Sequence, residues 1–322
     1  MSKPFNIGIV GSSKVTRLHI DAINQCSDLS LKCITGSYRP SLDEISAKYE
    51  LKQALDLDAF LESDIQLAVV TTKTESHFHY LQKIIPVVPN VIVEKPLTDS
   101  LSDAKSVIEL AQQHGCNLKV VYQNRFDENY LLLKNTIQRE AGPVSVRIDV
   151  RKNRGKADFE NTSSCCKDLI YTQFPHYLDL VMDLFGTDFN QIDAQFTNLQ
   201  KISPFDDHLR VFLSKSGVAA DVSITSCNST NLPVRMDFYF RDFYINTINF
   251  KVVYDSRKDR YRNLLTGLRH PKKNSHKCFL AMYKHYIADF LSNKSNSGEL
   301  ENILCAMEII DNLKPGLSKA TT

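Results

Sequence analysis

The sequence predicts an α/β protein in which a doubly wound parallel sheet comes first and a second α/β domain with an antiparallel sheet follows. Over the first 124 residues, short and nearly continuous apolar runs alternate with helical patterns, as in parallel strands covered on both faces. After about residue 125, apolar residues alternate with polar ones, which is the period of an antiparallel sheet. A length of 322 residues suits two domains, and we place them at residues 1–124 and 125–322.

The first domain is expected to contain five strands, each a short apolar run between turns. They are residues 5–10, 31–35, 66–71, 91–94 and 118–122. Before the last strand, Ser100 is expected to cap a helix with Asp103 as its capping-box partner, and Gly115 to end that helix.

The second domain is expected to hold four strands and three helices. Strands are predicted at residues 144–150, 209–214, 218–225 and 234–240, and helices at residues 169–185, 278–291 and 299–313.

Composition limits the class of protein. No apolar run approaches the roughly 20 residues that span a bilayer, and we expect no signal peptide before the first strand. A net charge of +2 gives no global reason to expect nucleic acid. The eight cysteines include no C-x-x-C pair, and the nine histidines form no H-x-x-x-H pattern. We therefore expect a cytoplasmic protein with reduced cysteines, no metal site, and neither a membrane nor a nucleic-acid partner.

The turn after the first strand predicts a site for a dinucleotide pyrophosphate. Gly11 stands where a G-x-G-x-x-G/A fingerprint begins, but Ser13 and Thr16 replace the second and third glycines. The pattern alone also fits a plain strand-to-helix turn. Because backbone N–H groups at a helix start bind phosphate, we favour the pyrophosphate site. Its expected contacts are Gly11, Ser12, Ser13, Lys14 and Val15.

The end of the second strand indicates which dinucleotide is bound. Enzymes that use NAD usually carry Asp or Glu there for the ribose hydroxyls, whereas this chain has Tyr38 and Arg39 after residues 36–37. A guanidinium suits a 2′-phosphate, and Tyr38 is expected near the adenine. We therefore expect NADP(H) in preference to NAD(H). A solvated surface arginine is the alternative interpretation of Arg39.

Four motifs in order resemble those of the Gfo/Idh/MocA oxidoreductases, the glucose–fructose oxidoreductase and inositol dehydrogenase family. They are Glu94-Lys95-Pro96, the turn and helix start at residues 72–77, the Gln123–Phe126 stretch, and the His176-Tyr177-Leu178-Asp179 motif. This chain departs from the family pattern at three places. Lys73-Thr74 replaces Pro-Asn, Ser163–Lys167 replaces a glycine-rich run, and Thr172 stands where an acid is common.

The resemblance implies a Rossmann domain, a second domain with an open, mostly antiparallel sheet, and a homo-oligomer, dimer or tetramer, that covers the sheet face. It also implies further residues at the site. The additional cofactor contacts are Thr71, Thr72, Lys73, His77, Glu94, Lys95, Asn124 and Arg125. The implied contacts to a small carbohydrate substrate are Lys95, Arg125, Thr172, His176 and Asp179.

Lys95 and His176 are the expected catalytic residues. Histidine ionises near pH 6.5 and suits proton transfer at neutral pH, whereas lysine near 10.4 needs burial or a neighbouring cation to act as a base. With Thr172 as the helix N-cap, His176 lies near the first turn, where the helix dipole favours a neutral imidazole. The alternatives are a structural histidine and a surface ion pair between Lys95 and Glu94.

These residues predict an NAD(P)-dependent dehydrogenase or reductase that acts on CH–OH groups of a sugar, polyol or nucleotide sugar. Two alternatives stay open: a dinucleotide-binding regulator of the same fold without catalysis, and a non-sugar reductase of the dihydrodiol or biliverdin type. The basic residues within 257–277 are interpreted as a solvated loop, or else as contacts to an anionic substrate.

Overall fold

The structure is a computed structural model that describes residues 4–53, 56–140, 142–153, 169–199, 206–227, 232–258, 275–292 and 297–317. The chain forms two compact units. The first consists of Met1–Gln123 and Ser275–Met307, and the second of Asn124–Asn274 and Glu308–Thr322. The sequence predicted a boundary at residue 124, but it assigned the whole C-terminal part to the second domain. Residues 275–307 instead return to the first unit.

The first unit is built on a six-stranded parallel sheet, as predicted. Its strands are β1 (Phe5–Val10), β2 (Leu29–Thr35), β3 (Lys52–Gln53), β4 (Leu67–Val70), β5 (Asn90–Val93) and β6 (Asn117–Val120). Their spatial order is β3-β2-β1-β4-β5-β6. This is the Rossmann order, in which ligands bind at the carboxyl ends of the strands where the order reverses, between β1 and β4. Only β3, which is two residues long, was not predicted.

Helices cover this sheet because the strands are apolar on both faces. They are α1 (Lys14–Ile23), α2 (Arg39–Tyr49), α3 (Leu57–Leu61), α4 (Thr74–Ile84) and α5 (Leu101–Gln113). The cap of α5 is as predicted, since Ser100 Oγ accepts a hydrogen bond from Asp103 N at 3.1 Å. The predicted stripe of α5, including Ala104, Val107 and Ile108, is buried.

The two C-terminal helices, α9 (Ser275–Leu291) and α10 (Ser297–Leu317), are tied to β6 by a buried lysine. Lys119 is 5% exposed, and its Nζ lies 3.0 Å from Asp289 Oδ2 and 2.5 Å from Glu299 Oε2. Tyr286 Oη of α9 also donates a hydrogen bond to the Val120 carbonyl at 2.9 Å. Leu300, Ile303 and Met307 of α10 are also buried in the same hydrophobic core as β5 and β6, so both polar and apolar contacts hold residues 275–307 in the first unit.

The second unit contains a seven-stranded sheet in which β7 and β10 pair in parallel and every other pair is antiparallel. Its strands are β7 (Ser145–Asn153), β8 (Gln191–Thr197), β9 (His208–Lys215), β10 (Val218–Cys227), β11 (Arg235–Tyr239), β12 (Tyr244–Ile248) and β13 (Lys251–Asp255). The described helices of this unit are α6 (Glu128–Arg139), α7 (Leu169–Thr172) and α8 (Phe174–Phe185). The predicted fold class is confirmed. The strands β8, β12 and β13 were not predicted.

The apolar alternation in β7 faces the interior of its own unit, because Val146, Ile148 and Val150 are fully buried. Charged residues stand on the other face, where Arg210 Nη2 lies 2.7 Å from Asp221 Oδ2. The same face also exposes Phe212 and Tyr239, so it carries both ion pairs and aromatic rings. The homo-oligomer that the resemblance implies stays a prediction.

None of the helices within the described ranges is long and apolar enough to cross a bilayer.

We expect Lys119→Met to lower the free energy of unfolding by about 3 kcal/mol, because it leaves two partly buried carboxylates without their cation. Urea denaturation followed by circular dichroism measures the change. Lys32→Met, at an exposed lysine of β2, is the control and should stay within about 0.5 kcal/mol of the parent protein. Equal effects of the two substitutions would contradict a stabilising role for the buried lysine.

Candidate functional site

The turn after β1 packs directly against the turn after β4, at the point where the strand order reverses. Gly11 has φ +117°, and a Cβ atom placed on it would lie 2.8 Å from Thr71 and from the Thr72 nitrogen. No other residue type fits this position without moving the backbone. Gly11, Thr71 and Thr72, which the sequence assigned to the cofactor site, are therefore neighbours in the structure.

Thr16 explains how the first helix packs without the third glycine of the fingerprint. Its side chain is fully buried, and its Oγ1 lies 2.7 Å from Thr71 Oγ1. Thr71 Oγ1 in turn donates to the Val10 carbonyl at 3.3 Å. A pair of hydroxyl groups thus joins α1 to the end of β4, where a glycine would have allowed bare backbone contact.

The start of α1 presents backbone donors toward an anion. Ser13 is the N-cap residue with φ −74°, so its backbone needs no glycine, and its side chain makes no capping bond. The N–H groups of Lys14 and Val15 belong to the first turn, where a helix has no internal acceptors for them. Ser41 Oγ holds the preceding Ser12 carbonyl at 2.6 Å. This arrangement suits a pyrophosphate.

A cavity of about 320 Å³ opens at the carboxyl end of β2. Arg39 lines it from the first position of α2, and His79 and Lys83 line it from α4. Asp56, the N-cap of α3, also lines it and accepts a hydrogen bond from Ala59 N at 2.9 Å. The sequence identified Arg39 but missed the other three residues, because they come from two later helices. Tyr38 is 65% exposed and precedes α2.

His77, assigned to the cofactor site from the sequence, braces backbone segments. Its Nδ1 lies 3.0 Å from the Pro96 carbonyl, and its Nε2 lies 3.2 Å from the Thr72 carbonyl. Burial lowers the pKa of His77, although these carbonyls and Glu94 act in the opposite direction. His77 therefore lies between the turn containing Thr72 and the exposed Lys73 and the segment that follows Lys95, and as a neutral imidazole it donates to a carbonyl on only one of these two sides.

Glu94 and Lys95 directly follow β5. Glu94 is 8% exposed, and its Oε2 accepts a hydrogen bond from the Lys95 backbone N–H at 3.3 Å. Its Oε1 lies 3.0 Å from His19 Nε2, and His19 Nδ1 lies 2.7 Å from Tyr283 Oη. The alternative of a surface ion pair does not describe Glu94, which is buried. The sequence missed His19, although a histidine on the buried stripe of α1 is a signal, and it missed Tyr283 entirely.

In the second unit, the partly exposed Arg125 forms an ion pair with the buried Asp179. Arg125 Nε lies 3.0 Å and 2.9 Å from the two carboxylate oxygens of Asp179, and Nη2 lies 2.6 Å from Oδ1. Burial opposes the charge of Arg125, but Asp179 and Asp183 raise its pKa above the ordinary value. The sequence analysis assigned both residues to ligand contacts, but in the structure they bind each other. The pair fixes α8 to the 3₁₀ turn Gln123–Phe126, in which Asn124 is buried.

Helix α8 begins at Phe174, one residue later than a Thr172 N-cap would place its start. Gln173 is its N-cap and Pro175 lies in its first turn, so that His176 is the third helical residue and is partly buried. Thr172 ends the separate helix α7 rather than capping α8, because the chain breaks its helical path at Gln173. The predicted N-cap role of Thr172 is therefore wrong, and Thr172 does not belong to the helix that carries His176 and Asp179. His176 itself stays at the dipole-positive end.

Two sequence features lie outside the described residues: Ser163–Lys167, and the basic loop from residue 259 to residue 274. Among the residues that the structure describes, no group of three or more His, Cys, Asp or Glu side chains could hold a metal ion.

Comparisons with known proteins agree with this geometry. Residues 5–122 match the model of the oxidoreductase family with an NAD-binding Rossmann fold, GFO_IDH_MocA. Over 271 residues, the chain is 24% identical to 4-carboxy-2-hydroxymuconate-6-semialdehyde dehydrogenase of Sphingobium, covering 82% of both chains. Over 235 residues, it is 24% identical to inositol 2-dehydrogenase of Serratia proteamaculans, covering 68% of this chain and 66% of that one. The chain spans only 39% to 58% of the length of the first relatives matched, all oxidoreductases.

Among solved structures, the chain is similar to the WlbA dehydrogenase from Bordetella pertussis in complex with NADH and UDP-GlcNAcA. The TM-score is 0.83 at 17% identity, and the match covers 99% of this chain and 97% of that one. This likeness shows that the chain, over both of its units, has the same fold as that structure. The ordered motifs, the strand order and the family match together assign residues 5–122 to the Gfo/Idh/MocA family of oxidoreductases.

Proposed function

We propose that the chain is an NADP(H)-dependent dehydrogenase or reductase that moves a hydride between the nicotinamide and a CH–OH or keto carbon of a sugar, polyol or nucleotide sugar. One observation carries the proposal. The Gly11 turn, the Thr71 turn and the Glu94-Lys95 motif all follow parallel strands of one sheet, so that they occupy the same edge.

The substrate class is suggested by the relatives. Inositol 2-dehydrogenase acts on a polyol, and the WlbA structure contains a nucleotide sugar. The semialdehyde dehydrogenase of Sphingobium favours a second candidate, a reductase or dehydrogenase of a non-sugar substrate. A panel that contains polyols, nucleotide sugars and aromatic semialdehydes separates the two.

The cavity at the end of β2 supports NADP(H). Arg39, His79 and Lys83 line it, and two of these three side chains carry a full positive charge at neutral pH. A guanidinium on an exposed helix start suits the bidentate binding of a 2′-phosphate. Asp56 lines the same cavity, and a carboxylate there suits ribose hydroxyls and repels phosphate. Its Oδ1 caps α3, and the two cations Arg39 and Lys83 outnumber it, so the charged side chains of the lining carry a net positive charge.

His176 is proposed to carry the proton of the reacting hydroxyl, and Lys95 to orient the reacting oxygen. The dinucleotide supplies the hydride acceptor or donor when it is bound. His176 lies in the first turn of α8, where a helix dipole disfavours an imidazolium and so favours a ring that can accept a proton. The ion pair between Arg125 and Asp179 fixes helix α8, which carries His176. These two residues are therefore proposed to influence ligand binding by positioning this helix. We also propose that the chain forms a homo-oligomer.

A dinucleotide-binding regulator without catalysis is the other candidate that the site allows. The serine and threonine that replace two fingerprint glycines favour it, because the pyrophosphate seat is altered. Binding of NADPH without turnover across the whole panel would establish it.

We expect NADPH to bind more tightly than NADH, and Arg39→Ala to weaken NADPH binding by about 2 kcal/mol through the loss of charged hydrogen bonds. NADH affinity should hardly change, since it has no 2′-phosphate. Fluorescence titration measures both. The control is Lys48→Ala, an exposed cation on the same helix outside the cavity. Tighter NADH than NADPH binding, or an equal loss for both dinucleotides in Arg39→Ala, would overturn the assignment.

We expect His176→Ala and Lys95→Ala each to lower kcat by about 10² to 10⁴-fold, the usual contribution of a positioned acid–base group. Stopped-flow measurement of NADPH formation or consumption with the best substrate of the panel checks this. His114→Ala, at an exposed histidine that follows α5, should leave kcat unchanged. Near-normal turnover in both site variants would end their assignment as catalytic residues.

A further inference from the structure

We propose that Tyr283 and His19 are positioning residues for Lys95, which they serve by holding the Glu94 carboxylate in one orientation. The inference rests on the proposed function, since it assigns these residues to the hydride-transfer site. It adds that one residue of the C-terminal helix α9, Tyr283, helps to position Lys95, although it comes far later in the chain.

The contacts form one continuous chain of hydrogen bonds. Tyr283 Oη lies 2.7 Å from His19 Nδ1, His19 Nε2 lies 3.0 Å from Glu94 Oε1, and Glu94 Oε2 accepts from the Lys95 backbone N–H at 3.3 Å. Tyr283 and His19 are both 0% exposed. Water is therefore no competitor for these bonds, and buried polar groups in such a chain are held strongly in place.

The direction of the bonds is set at the carboxylate end. A carboxylate only accepts hydrogen bonds, so His19 Nε2 carries the proton that is donated to Glu94 Oε1. Burial, with a smaller contribution from Glu94, raises the pKa of Tyr283 well above its ordinary value, so the hydroxyl keeps a proton that it can donate to Nδ1 of His19. Removing this hydroxyl group leaves Nδ1 without its partner and loosens the imidazole that holds the carboxylate.

Glu94 connects this chain to the reacting side of the sheet. Its backbone N–H donates to the Val70 carbonyl at 2.9 Å, so the residue still belongs to the sheet edge at which Thr71 meets Gly11. A carboxylate fixed on both oxygens holds the backbone from which the Lys95 side chain starts. Since catalysis is sensitive to displacements of about 1 Å, a small rotation of Glu94 is enough to lower the rate.

Packing supplies the reason for a histidine at this place. The His19 ring meets the Phe279 ring edge-on at a centroid distance of 4.8 Å, and the Tyr283 ring at 5.8 Å. The aromatic residues of α9 therefore fix the plane of the imidazole, while the hydroxyl of Tyr283 is the partner of its Nδ1. A purely apolar residue at position 19 would pack there but would remove the donor of the buried Glu94 Oε1, which is costly.

The matched pair of variants is Tyr283→Phe and Tyr286→Phe. Both remove one buried hydroxyl group from α9, but that of Tyr286 donates to the Val120 carbonyl and has no connection to Glu94. We expect similar, small decreases in thermal stability for both. Only Tyr283→Phe should lower kcat, by about tenfold, with the Kd for NADPH within about twofold of the parent protein. Equal kcat values for the two variants would overturn the proposal.

The position-19 variants supply a rescue test. His19→Gln keeps an N–H donor toward Glu94, whereas His19→Leu removes it, so we expect higher kcat in the glutamine variant at comparable thermal stability. Equal kcat in these two variants, with both folded by circular dichroism, would reduce His19 to a packing residue.

A readout without cofactor separates failure of this inference from failure of the proposed function. Lysines are reductively methylated with isotope-labelled formaldehyde, and the Lys95 signal is assigned by its loss in Lys95→Arg. Its chemical shift should change in Tyr283→Phe but not in Tyr286→Phe, whether or not the chain turns over a substrate. Absence of NADPH binding in the parent protein would end the proposed function. An unchanged Lys95 signal in Tyr283→Phe would end the positioning role.

Discussion

The close approach of two turns at the carboxyl edge of the parallel sheet is the constraint on which the site depends. Gly11 leaves no room for a side chain between β1 and the residues after β4, so that the first helix starts where its free N–H groups face the sheet edge. Thr16 and Thr71 then replace a glycine contact by a hydrogen bond between two buried hydroxyls. The altered fingerprint is therefore a repacked turn that keeps the geometry of an anion site.

Buried polar contacts extend this constraint to the C-terminus of the chain. Lys119 binds Asp289 and Glu299, and Tyr283 reaches Glu94 through His19. Each of these charged or polar groups is costly to bury alone and is stabilised only when its partner is in place. Helix α9 and the part of α10 up to Met307 are therefore integral parts of the first unit. The side chain of Glu94, next to Lys95, is held through His19 by Tyr283, a residue that follows all strands of the second sheet in the sequence.

Periodicity predicted the elements that bury apolar residues and missed those that do not. Nearly continuous apolar runs predicted the parallel strands, and Ser100 with Asp103 predicted the start of α5. By contrast, the apolar positions of β8 are only partly buried, β12 has five residues and β3 has two. For the site, local motifs led to Gly11, Arg39, Lys95 and His176. His19 had one local signal, its place on the buried stripe of α1. Tyr283, and Asp56 and Lys83 beside Arg39, depend on contacts between distant segments and left no local pattern.

The central claim is that a dinucleotide phosphate is bound by the first turn of α1, with its adenosine end in the cavity of Arg39. A crystal structure of the chain with NADP⁺ tests it most directly. The account predicts pyrophosphate oxygens within hydrogen-bond distance, about 3 Å, of the Lys14 or Val15 backbone nitrogen, and the 2′-phosphate on Arg39. A dinucleotide seated away from the Gly11 turn, or a turn left empty at saturating NADP⁺, would contradict it.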